Sequence, residues 1–267
     1  MSFVSSYIFQ LFCTLSNNIP YLKNLFRLLP IFISRSDKRS MDFLGRALED
    51  YYSDDLKSPF VFYRHCLRKK YITRWEFDLG LYFRNYINLF PLEKKLIEMC
   101  YGNILDIGTC TGYYFPYLMD KGPATGIEIS PRIFNLARKL GIKNCILGDM
   151  LSYKFNKKFD TIILFGHDAV LSGTLFGLRK MLKRFRNLLN ENGQILLIIR
   201  HIRTLKYWKV VFTPRYDGQF GIPFKCLFLN VNFFRSVAFK CGFHSTTHGI
   251  DESTGILYCL VRLIKSS

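Results

Sequence analysis

The sequence predicts an α/β protein: a doubly wound, mostly parallel seven-stranded sheet with a C-terminal antiparallel hairpin, plus an N-terminal helical segment. Three observations predict it. From residue 103 onward, short apolar runs alternate with amphipathic stretches of helical period, the pattern of repeated βα units. The run Asn103-Ile104-Leu105-Asp106-Ile107 passes directly into the small-residue loop Gly108-Thr109-Cys110-Thr111-Gly112, as a strand does when it turns tightly into a helix. Near the end of the chain, Asp251-Glu252-Ser253-Thr254-Gly255 separates two strand-like runs and reads as a hairpin turn.

Taken in order, Arg35 to Arg46 is polar and charged and reads as a linker. Residues 47–100 have helical rather than alternating patterns, rich in aromatics such as Tyr71, Trp75, Phe77, Tyr82, Phe83 and Tyr86. Pro91 marks the start of a helix, where its missing N–H costs nothing. Strands follow at Ile104–Ile107, Thr125–Ile129, Asn144–Leu147, Phe159–Phe165 and Gln194–Ile199. Helices lie between them at Gly112–Lys121, Pro131–Leu140 and Leu171–Asn190. Gly193 suits a left-handed cap at the end of the last of these. After a variable stretch come a helix near Val231–Cys241 and the paired strands Phe243–Gly249 and Ile256–Ile264. The domain division read from this is an N-terminal helical extension or lid at 1–90 and a ligand-binding domain at 91–267.

Composition narrows the class. The 267 residues are 49% hydrophobic and 22% charged, enough for a sizeable core. The net charge of +18 is spread along the whole chain, so no polybasic tail exists. A diffuse basic excess speeds encounters with anions but recognises no nucleic-acid sequence. Eight cysteines are scattered without a C-x-x-C pair, which argues against a zinc site or a disulfide scaffold and for reduced core thiols in a cytoplasmic protein. Phe3–Leu15 is too short and too polar to span a bilayer, and it lacks the features of a secretory signal. Peripheral membrane contact is the sharper reading of residues 1–34; packing of their amphipathic stretch against protein is the commoner one.

In such a sheet, ligands bind beyond the carboxyl ends of the strands. Five features fall there: the loop from Asp106 to Gly112, Glu128, Gly148-Asp149-Met150, Phe165-Gly166-His167-Asp168, and Arg200-His201. A carboxylate at Asp106 repels a pyrophosphate and attracts a cation, by roughly 3 kcal/mol at 5 Å and an effective dielectric of about 20. A dinucleotide fingerprint would also need glycines at positions 110 and 113, which hold Cys110 and Tyr113.

The ordered set resembles the class I S-adenosylmethionine-dependent methyltransferases over about residues 91–264. Their acid-x-Gly-x-Gly-x-Gly motif is matched by Asp106, Gly108 and Gly112, with Cys110 in place of the middle glycine. The acid that ends their second strand is matched by Glu128, the acid after the third by Asp149, and the glycine before the fifth by Gly193. The resemblance implies S-adenosylmethionine as co-substrate. By it, Gly108, Thr109, Cys110, Thr111 and Gly112 face the methionine and ribose portions. Asp106 favours the ammonium, and Glu128 holds the ribose hydroxyls. Ile129 and Met150 sandwich the adenine, Asp149 accepts from its amino group, and Phe165 completes the cofactor set.

With an activated methyl supplied, the protein's main task is in-line alignment. His167 and Asp168, after the fourth strand, are the candidate catalytic bases, with His201 behind them. A nucleophilic Cys110 is disfavoured, because the cysteines of cytosine-5 methyltransferases lie on later loops, and this chain has no Pro-Cys pair. His244 and His248 fall in a predicted strand, so no metal is expected. The Asn/Asp-Pro-Pro-aromatic motif of amino-methylating nucleic-acid enzymes is absent after the fourth strand, which leaves a small-molecule acceptor as the favoured partner. RNA methylation and an inactive cofactor-binding or interaction module are the alternatives.

Overall fold

The computed structural model describes residues 38–66, 71–165 and 171–266. The amphipathic stretch within residues 1–34, His167 and Asp168 lie outside the described residues. Helix α1 (Lys38–Tyr52) is followed by strands β1 (Val61–Cys66) and β2 (Tyr71–Glu76), then by α2 (Pro91–Glu98). The central part runs β3 (Ile104–Ile107), α3 (Phe115–Met119), β4 (Ala124–Glu128), α4 (Pro131–Lys139), β5 (Cys145–Leu147), β6 (Phe159–Leu164), α5 (Leu175–Leu188) and β7 (Leu189–Arg200). Then come β8 (Tyr207–Tyr216), β9 (Gln219–Phe220), β10 (Phe224–Leu229), α6 (Val231–Phe239), β11 (Phe243–Asp251) and β12 (Tyr258–Lys265).

The main sheet has seven strands in the order β11-β12-β7-β6-β3-β4-β5. Strands β7, β6, β3, β4 and β5 are mutually parallel, while β12 and β11 close the far edge antiparallel. Side chains alternate across it with the strand period of two. Leu105, Ile162 and Leu197 pack against α5 and α6 through Leu182, Phe185 and Phe234. Ile104, Ile163 and Leu196 face the other way, onto Leu96 and Ile97 of α2 and Leu118 of α3. Each such side chain, fully buried, stabilises the fold by about 1.5–3 kcal/mol before entropy is counted.

Four expectations need correction. From Lys38 to Arg46 the expected linker is the first half of α1, because Leu44, Ala47 and Leu48 form a buried stripe against Ile133 and Leu136 of α4. Within 47–100 the helical reading fails at β1 and β2, which pair antiparallel from Val61↔Glu76 to Cys66↔Tyr71. Their β-branched and aromatic residues (Val61, Phe62, Tyr63; Tyr71, Ile72, Thr73, Trp75) fit a pleated surface better than a helix. The stretch after residue 200 forms β8, β9 and β10, and these join β1 and β2 in a second, antiparallel sheet of order β10-β8-β1-β2. That sheet joins residues on both sides of position 90. Gly193 is no left-handed cap. The backbone turns extended at Leu189 (φ −78°, ψ 143°), and Gly193 lies inside β7. A Cβ there would stand 3.0 Å from the Phe159 carbonyl, so the glycine permits close approach of two strands.

Candidate active site

The strand tips that carry Asp106, Glu128 and Asp149 are neighbours in the sheet, β3 beside β4 beside β5. The loop after β3 folds over β4. Gly108 and Gly112 sit at φ +74° and +71°, a region open to glycine. Cys110 takes φ +52°, so it occupies a glycine's conformation with a side chain attached. Its thiol is buried with Leu44, Ile133, Leu136 and Tyr216, which ties the loop to α1 and the second sheet. The hydroxyls of Thr109 and Thr111 turn inward, and both residues are buried. Thr109 lies so close over β4 that a Cβ on Gly126 would meet its Oγ1 at 2.2 Å. Thr111 donates to the Tyr82 carbonyl. The loop therefore presents backbone, rather than these two hydroxyls, outward.

The acids differ in their surroundings. Asp106 is fully buried, and both its oxygens accept from the Tyr114 hydroxyl at 3.0 and 3.1 Å. Burial raises its pKa to about 7; the hydrogen bonds from Tyr114 and Thr109 oppose the rise, and the charge of Glu128 adds to it. Glu128 is also buried and raised for the same first reason. Its Oε2 accepts from Cys110 N–H (3.1 Å), and its Oε1 accepts from Ile129 N–H (2.8 Å) and Ser130 N–H (2.9 Å). A carboxylate offers about four acceptor positions, so one remains for a ligand hydroxyl. Asp149 is half-buried, and its Oδ1 accepts from Leu151 N–H at 3.0 Å. Ile129 and Met150 flank this edge half-buried. The ring of Phe165 is committed elsewhere, stacked on Tyr114 with centroids 3.8 Å apart and planes 17° apart.

Several contributors were not foreseen. Asp42 of α1 accepts from Ser130 Oγ and from Arg132 N–H, so an N-terminal residue caps α4 beside Glu128. Arg84 donates to Glu93 Oε1 (2.9 Å) and to the Tyr113 hydroxyl (3.0 Å), clamping the segment before α2 onto the loop. Two of these bonds leave no mark in residue spacing: Ser130 to Asp42 spans 88 residues and Arg84 to Tyr113 spans 29. At the tip of β7, the Arg200 guanidinium lies over the Phe228 ring, and His201 Nδ1 accepts from Val231 N–H at 3.1 Å. Burial, and after it the charge of Arg203, lowers the pKa of this ring, in keeping with an unprotonated Nδ1. His244 and His248 both lie in β11, and among the described residues no cluster of three or more His, Cys, Asp or Glu could hold a metal. No helix among them is long and apolar enough to cross a membrane.

Three adjacent strand tips, a loop with glycine geometry and three carboxylates in strand order point to one class, and comparison with known proteins agrees. Residues 105–197 match the family described as "Methyltransferase domain". Over those residues the chain is similar to that family, and its fold is that of S-adenosylmethionine-dependent methyltransferases of known structure. A methyltransferase from Bacteroides fragilis, crystallised with S-adenosylhomocysteine, is 21% identical with a TM-score of 0.73. The match covers 89% of this chain and 100% of that one, more than residues 91–267 alone make up. The CcbJ methyltransferase of Streptomyces caelestis (12% identity, TM-score 0.53, covering 66% and 89%) is similar in fold. So is the sugar N-methyltransferase KedS8 of Streptoalloteichus (13% identity, TM-score 0.52, covering 74% and 96%). Among curated protein sequences nothing matches the chain.

Proposed function

We propose that the protein moves the methyl group of S-adenosylmethionine onto a small-molecule acceptor. The observation that carries the reading is the row of Asp106, Glu128 and Asp149 on three adjacent strand tips around the loop from Gly108 to Gly112. In it, the backbone from Gly108 to Gly112 receives the methionine and ribose portions. The remaining acceptor position of Glu128 takes a ribose hydroxyl, and Asp149 takes the adenine amino group, with Ile129 and Met150 at the ring faces. Asp106, charged, biases the pocket toward the ligand's ammonium through Tyr114 or water. The bound cofactor supplies an activated methyl on a sulfonium. The protein's share is alignment, worth up to about 7–11 kcal/mol of barrier in well-oriented reactions.

Residues 1–90 act in this reading as a lid. The bonds from Thr111 to Tyr82 and from Ser130 to Asp42 support that role, since they bring the N-terminal part directly over the cofactor loop. The fold likeness to a sugar N-methyltransferase favours a small acceptor over RNA. A cytoplasmic location is supported by six described cysteines, all buried and all free thiols.

Calorimetric titration with S-adenosylhomocysteine tests the cofactor half. Micromolar binding that Asp106→Asn weakens is the expected result; no heat at millimolar ligand removes the enzyme reading and leaves an interaction module. A methyl-transfer screen with labelled cofactor over small-molecule, RNA and protein fractions tests the acceptor half, with label expected in the small-molecule fraction.

A further inference from the structure

Beyond the carboxyl end of β7 lies a cleft of about 320 Å³, the lower end of the range for small-molecule sites. It opens between the two sheets. Arg200, His201 and Leu257 form one side of it, and Arg64 of β1, Trp208 of β8 and Phe228 of β10 form the other. Its cations are unusual in their company. Arg203 is paired with Glu252, but neither Arg64 nor Arg200 has a carboxylate partner among the described residues. Both guanidiniums are instead held by rings and a hydroxyl. Arg64 lies 5.2 Å from the Trp208 ring centre with its Nε on Thr73 Oγ1, and Arg200 lies 5.3 Å from the Phe228 ring centre. Two half-buried positive groups facing one cleft repel each other: burial lowers the pKa of Arg200, Tyr258 opposes this, and the charge of Arg64 adds to it. Such a pair is costly unless an anion sits between.

The position of the cleft says which anion. Strands β6 and β7 are parallel to β3, so their tips share the edge that carries the cofactor loop. β7 stands two places from β3, about 10 Å at the usual strand spacing. A small acceptor whose nucleophile lies over β3 and β6 would extend its far end to Arg200.

We infer that this cleft is the acceptor subsite, and that the methyl acceptor is a small molecule bearing a carboxylate or phosphate, gripped by Arg64 and Arg200, next to a flat apolar part laid on Trp208 and Phe228. This deepens the transferase reading and rests on it. Guanidinium forks match both oxyanions bidentately, and indole and phenyl faces accept a planar body.

The test is a titration of the full chain, saturated with S-adenosylhomocysteine, with phenyl phosphate, benzoate and uncharged benzamide. At least one of the two anions is expected to bind tenfold or more tighter than benzamide. Arg200→Gln and Arg64→Gln should each remove that margin while leaving S-adenosylhomocysteine affinity within about twofold. Lys180→Gln, on an exposed helix face, controls for net charge and should change nothing. Which anion binds better distinguishes carboxylate from phosphate acceptors. With S-adenosylhomocysteine bound, equal affinity for benzamide and both anions overturns the subsite and leaves the transferase reading standing. So does tight, salt-sensitive binding of single-stranded RNA by the same two arginines without any phenyl phosphate binding. Failure of S-adenosylhomocysteine to bind overturns the transferase reading itself, and with it the assignment of any anion as an acceptor.

Discussion

The Tyr114 hydroxyl stands 3.0 and 3.1 Å from the two oxygens of Asp106, so a single phenolic proton is shared across a fully buried carboxylate. Among the described residues no cation pairs with it, and burial leaves the acid with a pKa of about 7, well above its ordinary 3.8. The sign of the consequence is fixed. Between those values the folded protein holds a proton that the unfolded chain has released, so this group's contribution to stability is complete at low pH and is lost as pH rises toward 7. Asp106→Asn keeps the partner for Tyr114 and removes the titration. Thermal melts should show the variant gaining on the parent as pH is raised from 5 to 8, and a constant difference would refute the assignment.

Ligand binding should run the other way. An ammonium beside Asp106 prefers the ionised form, so affinity for S-adenosylmethionine is expected to rise about tenfold between pH 6 and pH 8 and then level off. Asp106→Asn should flatten the profile and bind more weakly at pH 8. Calorimetry at several pH values in two buffers also reads the proton released on binding.

Glu128 is expected to be structural and functional at once. Three backbone N–H groups converge on it, two from the turn after β4 and one from Cys110. A glutamine there keeps one acceptor oxygen and turns an NH2 toward a donor, leaving at least one buried N–H unanswered. That mismatch costs about 1–3 kcal/mol. Glu128→Gln should therefore lower the urea midpoint as well as abolish cofactor binding, whereas a loss of binding with unchanged stability would show that the three bonds carry little weight.

Position 110 tests the departure from the glycine pattern. A non-glycine residue in the left-handed region costs about 1–2 kcal/mol. Cys110→Gly relieves that strain but gives up a buried thiol, so its stability should stay within about 1 kcal/mol of the parent. Cys110→Val meets the same φ of +52° with a β-branched side chain and should lose about 2 kcal/mol or more, measured by urea unfolding.

The contrast between these positions and the N-terminal part shows what the sequence made legible. Strands β3 to β7 announce themselves because each is a buried apolar run bounded by turn chemistry, and their order puts Asp106, Glu128 and Asp149 at one edge without further information. The first half of helix α1 looks like a linker in the sequence because its polar residues Asp42 and Arg46 look solvated until their partners Ser130 and Asp217 are known. The β1–β2 hairpin was hidden for a related reason. It pairs with β8, some 150 residues later in the chain, and long-range pairing of this kind leaves no local period. Arg200 was visible at a strand tip, but its companion Arg64 comes from that same unforeseen hairpin.

The clamp on the cofactor loop yields the sharpest energetic expectation. The ion pair of Arg84 and Glu93 is almost fully buried, with side chains 12% and 7% exposed, and it is finished by the Tyr113 hydroxyl and by Glu93 Oε2 accepting from Phe90 N–H at 2.8 Å. Removing one partner strands the other charge in the interior, at a cost of about 3–5 kcal/mol. Arg84→Gln and Glu93→Gln should each destabilise on that scale. The double variant strands no charge and should fall well short of the sum, with a coupling energy of more than about 1 kcal/mol in a double-mutant cycle. Because Tyr113 adjoins Gly112, Arg84→Gln should also weaken cofactor binding. Additive losses with normal cofactor affinity would mean that the pair neither interacts strongly nor holds the loop.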